Sequence, residues 1–597
     1  MRVILLCLAV ALPALAQEEA AGAPAPQVRP AGPALTVTWE APKQLREIFE
    51  KNLKPPVLEE GRRRGALLRP WEREVRRRVP EIVASEGYFS PTVDIKYDDE
   101  EKRGHATVVV TLGTRTTVSS VEIEFLGDLA SGGDLRERRR KEIRDGWTLK
   151  AGEPFRSPDW ESAKVKLEED ATDLDYATGK ITASRAEVDA EAATAKLFVT
   201  LDSGPAFKLG EVQIDGVSKY PVNVVNRLVD IERGERYSRT RLQDLQRLIQ
   251  NGWWFSSVVV DTERDPAKSE ETPVKITVIE RPSREVGLSA GYGTDDGIRG
   301  EAAYRDRNLF SRGFDLQSSV RLSQKDQFAY ADVYVPPGLW FTQPRGNIPY
   351  TDSVGVLAEH SDIENLIFSR WAVAGYRHWR LDKFELRLGL SYQIEDSKPV
   401  NAEEQIKRAL APIAAITWRR VDNVFDPRRG WVLALQAAAG SKALASGDDF
   451  FRLYGQVQYW FPLGADDQLY FRVETGRNFA NSRQHIPEDY LFRAGGSRSN
   501  RGYAYQSLGV QEGNAIVGGR YLATGTVEYV HWLNERWGAA VFTDVGDASD
   551  SIKEWEPLKS YGVGARFRTP AGPLAIDLAY ADRDRKVRLA FSVTIAF

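Results

Sequence analysis

Val587-Arg588-Leu589-Ala590-Phe591-Ser592-Val593-Thr594-Ile595-Ala596-Phe597 closes the sequence and decides how the rest is read. Val587, Leu589, Phe591, Val593, Ile595 and Phe597 are apolar, whereas Arg588, Ser592 and Thr594 between them are polar. Period two of this kind marks a strand with unlike faces. Ending on an aromatic, it fits the closing strand of a membrane barrel whose lipid-facing and lumen-facing positions alternate. The competing reading is an edge strand of a soluble sandwich, and the segments upstream weigh against it.

From Pro282 onward the sequence alternates without helical period. Phe384, Leu386, Leu388, Leu390, Tyr392 and Ile394 are interleaved with Glu385, Arg387, Gly389, Ser391, Gln393 and Glu395. Charges so regularly spaced do not belong inside a soluble core, but they suit a wet lumen opposite a lipid face. Similar segments from Glu285 to Phe597 predict about sixteen antiparallel strands, an even number within the range of single-chain outer-membrane barrels. No later window offers the ~18 apolar residues of a membrane helix, so a membrane would be crossed by strands.

Residues 35–281 have a different texture, with helical and strand periods mixed in units of about 75 to 90 residues. Gly87-Tyr88-Phe89 leads into the strand pattern Thr92 to Tyr97, and Gly252-Trp253-Trp254-Phe255 leads into Val258 to Asp261. Each reads as a helix stopped by glycine and continued by a strand. Tyr176-Ala177-Thr178-Gly179 occupies the same station more loosely. Alternating strands ending in a Gly turn also repeat, at Val118 to Gly127 and Phe207 to Gly216. Units of strand, helices, strand, strand are expected over 35–113, 114–203 and 204–281, with the barrel over 282–597.

The N-terminus pairs Arg2 with an apolar run and then Ala14-Leu15-Ala16, the pattern of a cleaved secretory signal over residues 1–16. Residues 17–34, rich in Ala, Pro and Gly, read as an extended leader. Cys7, the only cysteine, lies inside the signal, so disulfide and thiolate chemistry are not expected of the mature chain. The net charge of −4 gives no electrostatic case for nucleic acid. Arg62-Arg63-Arg64 and the run from Arg136 to Lys141 read first as solvated faces, and second as contacts for an acidic partner or lipid headgroups.

Catalysis is not expected. Gly287-Leu288-Ser289-Ala290-Gly291 matches G-x-S-x-G, but Tyr292 to Gly297 behind it is a hairpin-like turn where a nucleophile elbow needs a helix. His105, His360, His378, His485 and His531 show no metal-ligand spacing, no phosphate-binding Gly loop appears, and no cofactor is expected.

The long segment from about Ala480 to Ala515, between the expected strands 11 and 12, contains Gly495-Gly496-Ser497-Arg498-Ser499-Asn500-Arg501-Gly502-Tyr503. Phe542-Thr543-Asp544-Val545-Gly546 falls on the expected strand 13. Together these resemble the sixth-loop motif (Arg501, Gly502, Tyr503) and the Phe-x-Asp-x-Gly motif (Phe542, Asp544, Gly546) of the superfamily that includes BamA, TamA and the two-partner-secretion transporters. Arg307 to Gly313 resembles that family's Asn-Leu-Phe-Gly-x-Gly stretch, with Ser311 where glycine is common. Asp422-Asn423 with Asp426-Pro427-Arg428-Arg429-Gly430 resembles its turn between strands 8 and 9. Gly562, Gly564, Pro570, Gly572, Pro573 and Leu574 resemble its approach to strand 15. The final strand departs from the pattern, carrying Ala590 and no glycine.

The resemblance implies a barrel of sixteen strands preceded by three polypeptide-transport-associated (POTRA) domains in the periplasm, an arrangement most similar to the TamA branch, the outer-membrane subunit of the translocation and assembly module. It implies that the loop folds into the lumen and that Arg501 pairs with acid on the wall, Asp544 first and Glu528 second. A guanidinium in a constricted lumen needs such a planar, charge-assisted partner. Gly287, Gly291 and Gly293 weaken strand 1, so its seam with Phe591 and Phe597 of strand 16 is the expected lateral gate. Implied partners are unfolded outer-membrane clients such as autotransporters, outer-membrane lipid, and a TamB-like protein anchored in the inner membrane. A two-partner-secretion pore or a passive transport pore is the alternative.

Overall fold

The computed structural model describes residues 35–57, 64–98, 104–337, 339, 350–570 and 572–593. The expected signal and leader, Arg62, Arg63 and Phe597 therefore lie outside the described residues. Two compact units, Met1–Ala206 and Phe207–Phe597, divide the chain, and each is taken by itself.

The first unit holds two α+β domains. One comprises β1 (Thr36–Glu40), α1 (Lys43–Asn52), α2 (Arg64–Ser85), β2 (Thr92–Tyr97) and β3 (His105–Thr111). The next comprises β4 (Thr117–Leu126), α3 (Asp134–Asp145), α4 (Ser157–Asp173), β5 (Lys180–Asp189) and β6 (Thr194–Asp202). In each sheet the last strand is central, parallel to the first and antiparallel to the second. The reason is legible in the side chains. Ala106, Val108 and Val110 of β3 are buried at period two, and Leu68, Trp71, Val75, Val79 and Val83 of α2 are buried at helical spacing. Each large apolar side chain among them contributes about 1.5–3 kcal/mol when fully buried. In the second domain Trp160, Ala163, Leu167 and Ala171 of α4 cover Ala195, Leu197, Val199 and Leu201 of β6 in the same way.

The junction between these two domains is built on the glycine that ends α2. Gly87 sits at φ +94°, where a Cβ would lie 2.2 Å from the Phe155 carbonyl oxygen. Phe89 packs on Phe155, and Arg156 donates to Glu86 at 2.8 and 3.2 Å.

In the second unit β7 (Leu209–Asp215), α5 (Asn223–Asn226), α6 (Arg239–Gln250), β8 (Phe255–Thr262) and β9 (Thr272–Glu280) repeat the same sheet order. Here too a helix-end aromatic pair docks on the neighbouring domain, in this case the barrel. The indole N–H groups of Trp253 and Trp254 both donate to the Gly313 carbonyl, at 3.1 and 2.8 Å, in the turn between barrel strand 2 (Gly297–Leu309) and strand 3 (Phe314–Ser323). Asn308 of that turn donates to the Lys219 carbonyl at 2.9 Å, and Arg307 bridges back to Glu285 at 2.7 Å. Ser311, which departs from the family pattern, sits at φ +56°, the left-handed region that favours glycine.

The largest sheet has sixteen antiparallel strands in sequential order, from strand 1 (Arg284–Gly293) to strand 16 (Lys586–Val593). Strand 12 (Tyr521–Trp532) buries Thr524, Thr526 and Glu528 inward and turns Val527 and Tyr529 outward. On strand 16 Val587 and Leu589 point outward and Ala590 inward, the alternation that the sequence shows. Residues 594–597 of the expected strand lie outside the described residues. On two neighbouring strands aromatic pairs mark the outer face, Tyr459 with Phe461 towards one end and Phe451 with Phe479 towards the other. Eight residues separate Phe451 from Tyr459, which is ~26 Å along a strand and ~20 Å at a tilt of ~40°. That spacing suits the apolar layer of an outer membrane.

Candidate functional site

Strand 11 (Asp467–Ala480) and strand 12 are joined by residues 481–520. The sequence pattern ends this loop at Ala515. Instead Ala515–Val517 pairs with Val510–Glu512 as a small hairpin inside the loop, because strand 12 starts only at Tyr521. Gly495 and Gly496, at φ +99° and +95°, turn the chain so that Asn500, Arg501 and Tyr503 become buried against the barrel wall.

Arg501 forms a fork with Asp544, Nε to Oδ2 and Nη2 to Oδ1, both at 2.9 Å. Its backbone N–H also donates to Asp544 Oδ2, at 3.0 Å. The remaining guanidinium nitrogen, Nη1, reaches Glu528 at 2.7 Å and Asp577 at 3.1 Å. Arg566 completes the set, 2.7 Å from Glu528 and 2.6 Å from Asp577. Three carboxylates thus face two guanidinium groups, all at most 7% exposed. Buried charges persist only when paired and hydrogen-bonded in this manner.

The local sequence supplies this geometry residue by residue. Strand 13 (Trp537–Ser549) carries Phe542, Asp544 and Gly546 on its inward face. The Phe542 ring lies 3.3 Å beneath the Arg501 guanidinium carbon, a cation–π stack. Gly546 takes φ +147°, and a Cβ there would lie 2.4 Å from the Ala523 carbonyl oxygen. On strand 14 (Lys559–Thr569), Gly562 leaves the space that Phe542 occupies and Gly564 the space taken by Asp577. Gly502 lets the loop backbone approach the wall, since a Cβ would lie 2.5 Å from that of Ser560. Asn500 donates to the Leu558 carbonyl at 2.9 Å, and Tyr503 is buried with its hydroxyl 3.4 Å from the Lys559 carbonyl.

The structure therefore brings Arg501, Gly502, Tyr503, Phe542, Asp544, Gly546 and Glu528 together. It adds groups that sequence motifs do not reveal. Asp577 on strand 15 (Gly572–Ala581) and Arg566 share the cluster; the signal for Asp577 is a carboxylate at the inward phase between lipid-facing Ile576 and Leu578. Arg472 of strand 11 donates to the carbonyls of Arg498 and Ser499 and so grips the loop tip. A second anchor lies on another part of the wall. Glu488 of the loop meets Lys407 of strand 8 (Gln405–Val421) at 2.8 Å, and Asp489 meets Arg370 of strand 6 (Leu366–Arg380) at 3.1 Å.

The expected gate residues Gly287, Gly291 and Gly293 lie on strand 1, and Phe591 on strand 16. Strand 1 pairs along its whole length with strand 2 (Gly297–Leu309), but no ladder joins it to strand 16 among the described residues. Ser289 of the G-x-S-x-G stretch pairs with Glu301 in that ladder, and the next element is a strand. Arg136, Arg139 and Arg140 of the second basic run contact Asp128, Glu142 and the Leu129 carbonyl within their own domain. Among the described residues no group of His, Cys, Asp and Glu is arranged to hold a metal.

A sixteen-stranded barrel with a lumen loop, preceded by small α+β domains, defines an outer-membrane β-barrel protein with periplasmic domains. Residues 283–597 match the Omp85 superfamily domain, and residues 207–281 match the POTRA family described as the surface antigen variable number repeat. The chain belongs to the Omp85 superfamily. It is 25% identical over 514 residues to the outer membrane protein assembly factor BamA of Nitratidesulfovibrio vulgaris, covering 82% of this chain and 62% of that one. With BamA of Neorickettsia risticii it shares 23% identity, over 63% of this chain and 52% of the relative. The chain thus spans between about half and three fifths of the length of these relatives. The crystal structure of BamA from Haemophilus ducreyi lacking POTRA domains 1–3 superposes with a TM-score of 0.65 at 13% identity, over 80% of this chain and 98% of that one. The barrel lies in the outer membrane and the POTRA domains in the periplasm.

Proposed function

We propose that this protein assembles other outer-membrane proteins, in the manner of TamA, by opening between strands 1 and 16. The observation that carries the reading is the seam. Strand 1 has a full ladder with strand 2 and, among the described residues, none with strand 16, and Val286, Leu288 and Tyr292 are all more than 60% exposed. An edge of this kind offers unpaired backbone donors and acceptors to an incoming client strand. The loop supports the same reading against a passive pore. It lies across the lumen, held to strands 12, 13 and 15 through Arg501 and to strands 6 and 8 through Asp489 and Glu488. Three α+β units suit the TamA branch, with a TamB-like inner-membrane-anchored protein as partner and autotransporters among the clients. The Arg501 cluster holds the loop in its working position, and no step requires covalent catalysis.

The test uses a Cys7→Ser background with Thr294→Cys and Phe591→Cys, whose parent residues meet across the seam. Assembly of outer-membrane clients should stop when the pair is oxidised and resume on reduction. Undiminished assembly with the cross-link complete would overturn the gate. Loss of one dedicated exported protein, with all other barrels intact, would favour the two-partner-secretion reading.

A further inference from the structure

Three elements that are remote in sequence meet at the tip of the hairpin between strands 1 and 2. Asp295 accepts from the Ser497 hydroxyl at 2.6 Å and lies 3.3–3.4 Å from the Ser497 backbone nitrogen. Gly496 lets the loop come this near, since a Cβ there would lie 3.2 Å from the Asp295 carboxylate. One residue away, the hydroxyl oxygen of Thr294 accepts from the backbone N–H of Phe591 on strand 16, at 3.3 Å. The loop that carries Ser497 is itself fixed to strands 12, 13 and 15 through Arg501 and to strands 6 and 8 through Asp489 and Glu488. Strand 1 therefore has a side-chain tether to an anchored loop at the hairpin end of a seam that has no ladder among the described residues.

We infer that Thr294 and Asp295 are a latch, in which the contact of Asp295 with Ser497 positions the hairpin tip and thereby holds strand 1 against strand 16. The inference rests on the gate reading for the purpose of the seam, though not for the existence of the contact. A ladder of about eight hydrogen bonds would make a seam that opens only on unfolding. A few side-chain bonds, each of modest net strength, make one that opens reversibly. Asp295, Ser497 and Thr294 are positioning residues. They touch no client, and their effect is on how often the seam is open.

Ala590, on the inward face of strand 16 and 5% exposed, provides the reporter. In the full chain carrying Cys7→Ser and Ala590→Cys, reconstituted in bilayers, the rate of alkylation by a charged maleimide tracks the open population, provided opening is fast relative to labelling. Asp295→Ala and Ser497→Ala should each accelerate labelling about five- to thirty-fold, the factor that corresponds to losing one or two kcal/mol. The double variant should match Asp295→Ala, because Ser497→Ala removes only the hydroxyl contact that Asp295→Ala already removes and leaves the backbone N–H facing the carboxylate. Ser497→Thr, which keeps the hydroxyl, should stay within about twofold of the parent. Rates within about twofold of the parent in both alanine variants would overturn the latch, as would Ser497→Thr behaving like alanine. The two alanine changes lie on different elements, so a folding defect in one, seen as loss of the heat-modifiable band, leaves the other to decide. Faster labelling together with assembly that ignores the seam disulfide would keep the latch and overturn the gate. Unchanged labelling with disulfide-sensitive assembly would do the reverse.

Discussion

Replacing Arg501 with alanine should free the loop from the barrel wall, and the structure sets the size of the effect. The guanidinium makes four hydrogen bonds, two to Asp544 and one each to Glu528 and Asp577. Once it is gone, Arg566 still neutralises Glu528 and Asp577. Asp544, 0% exposed, keeps only the backbone N–H of residue 501. Breaking a buried pair from one side costs about 3–5 kcal/mol, because the surviving charge is left desolvated. If that cost falls on the docked loop, local opening becomes more frequent by about two to four powers of ten. Native-state hydrogen exchange of the amides between Asn500 and Leu508 measures this directly. Arg501→Lys keeps a charge but cannot form the fork, so it should fall between parent and alanine. Asp544→Ala combined with Arg501→Ala should recover part of the protection lost by Arg501→Ala alone, since the uncompensated carboxylate is then absent. Protection within about threefold of the parent in Arg501→Ala would refute the argument that the cluster holds the loop.

The same reasoning extends to other positions. Gly502→Ala drives a methyl towards Ser560 and Ala581 and should cost about 1–3 kcal/mol by overpacking, read as raised trypsin cleavage at Arg498; cleavage at the parental rate would contradict the close approach. Trp254→Ala removes a fully buried side chain and one of the two donors to the Gly313 carbonyl, and should lower the stability of the third POTRA domain by about 3–5 kcal/mol, measured by urea titration in detergent. Glu280 gives a pH prediction. Burial alone would raise its pKa, but the backbone N–H groups of Ser218, Tyr220 and Lys219, with the Ser218 hydroxyl, outweigh burial and hold the carboxyl below its ordinary 4.5. A group depressed on folding contributes stability that is fully present above its unfolded value and lost as pH falls through its folded value. The periplasmic melting transition should therefore fall below pH 4.5 more steeply in the parent than in Glu280→Gln, and equal acid slopes in the two would contradict the assignment.

Much of the architecture is legible in the sequence because barrel strands and helix faces are local patterns. Val587, Leu589 and Ala590 take the faces that period two assigns them, and α2 buries the stripe from Leu68 to Val83. Arg501 and Asp544 can be named as a pair because each stands in a short motif of the superfamily that the sequence resembles, Asp544 at the inward phase of its strand. Arg566, Asp577 and Arg472 have no such motif, and only the barrel's curvature brings strands 11, 14 and 15 around one loop. The loop's end is misread from sequence because Ala515 to Val517 has strand character, and nothing local says that its partner is Val510 to Glu512 and not the barrel. The contact of Asp295 with Ser497 spans 202 positions. Neither residue is unusual in its own neighbourhood, so folding alone reveals it.

The docking of Gly313 beneath Trp253 and Trp254 has a mechanical side. With Asn308 on Lys219 as a second point of attachment, three hydrogen bonds fasten the third POTRA domain to the turn between strands 2 and 3. Only residues 281–283 separate β9 from strand 1, and Arg307 clamps that link through Glu285 and the Pro282 carbonyl. The domain thus meets the barrel at two levers, the docked turn and the clamped link, and the second of them ends on the strand beside the seam.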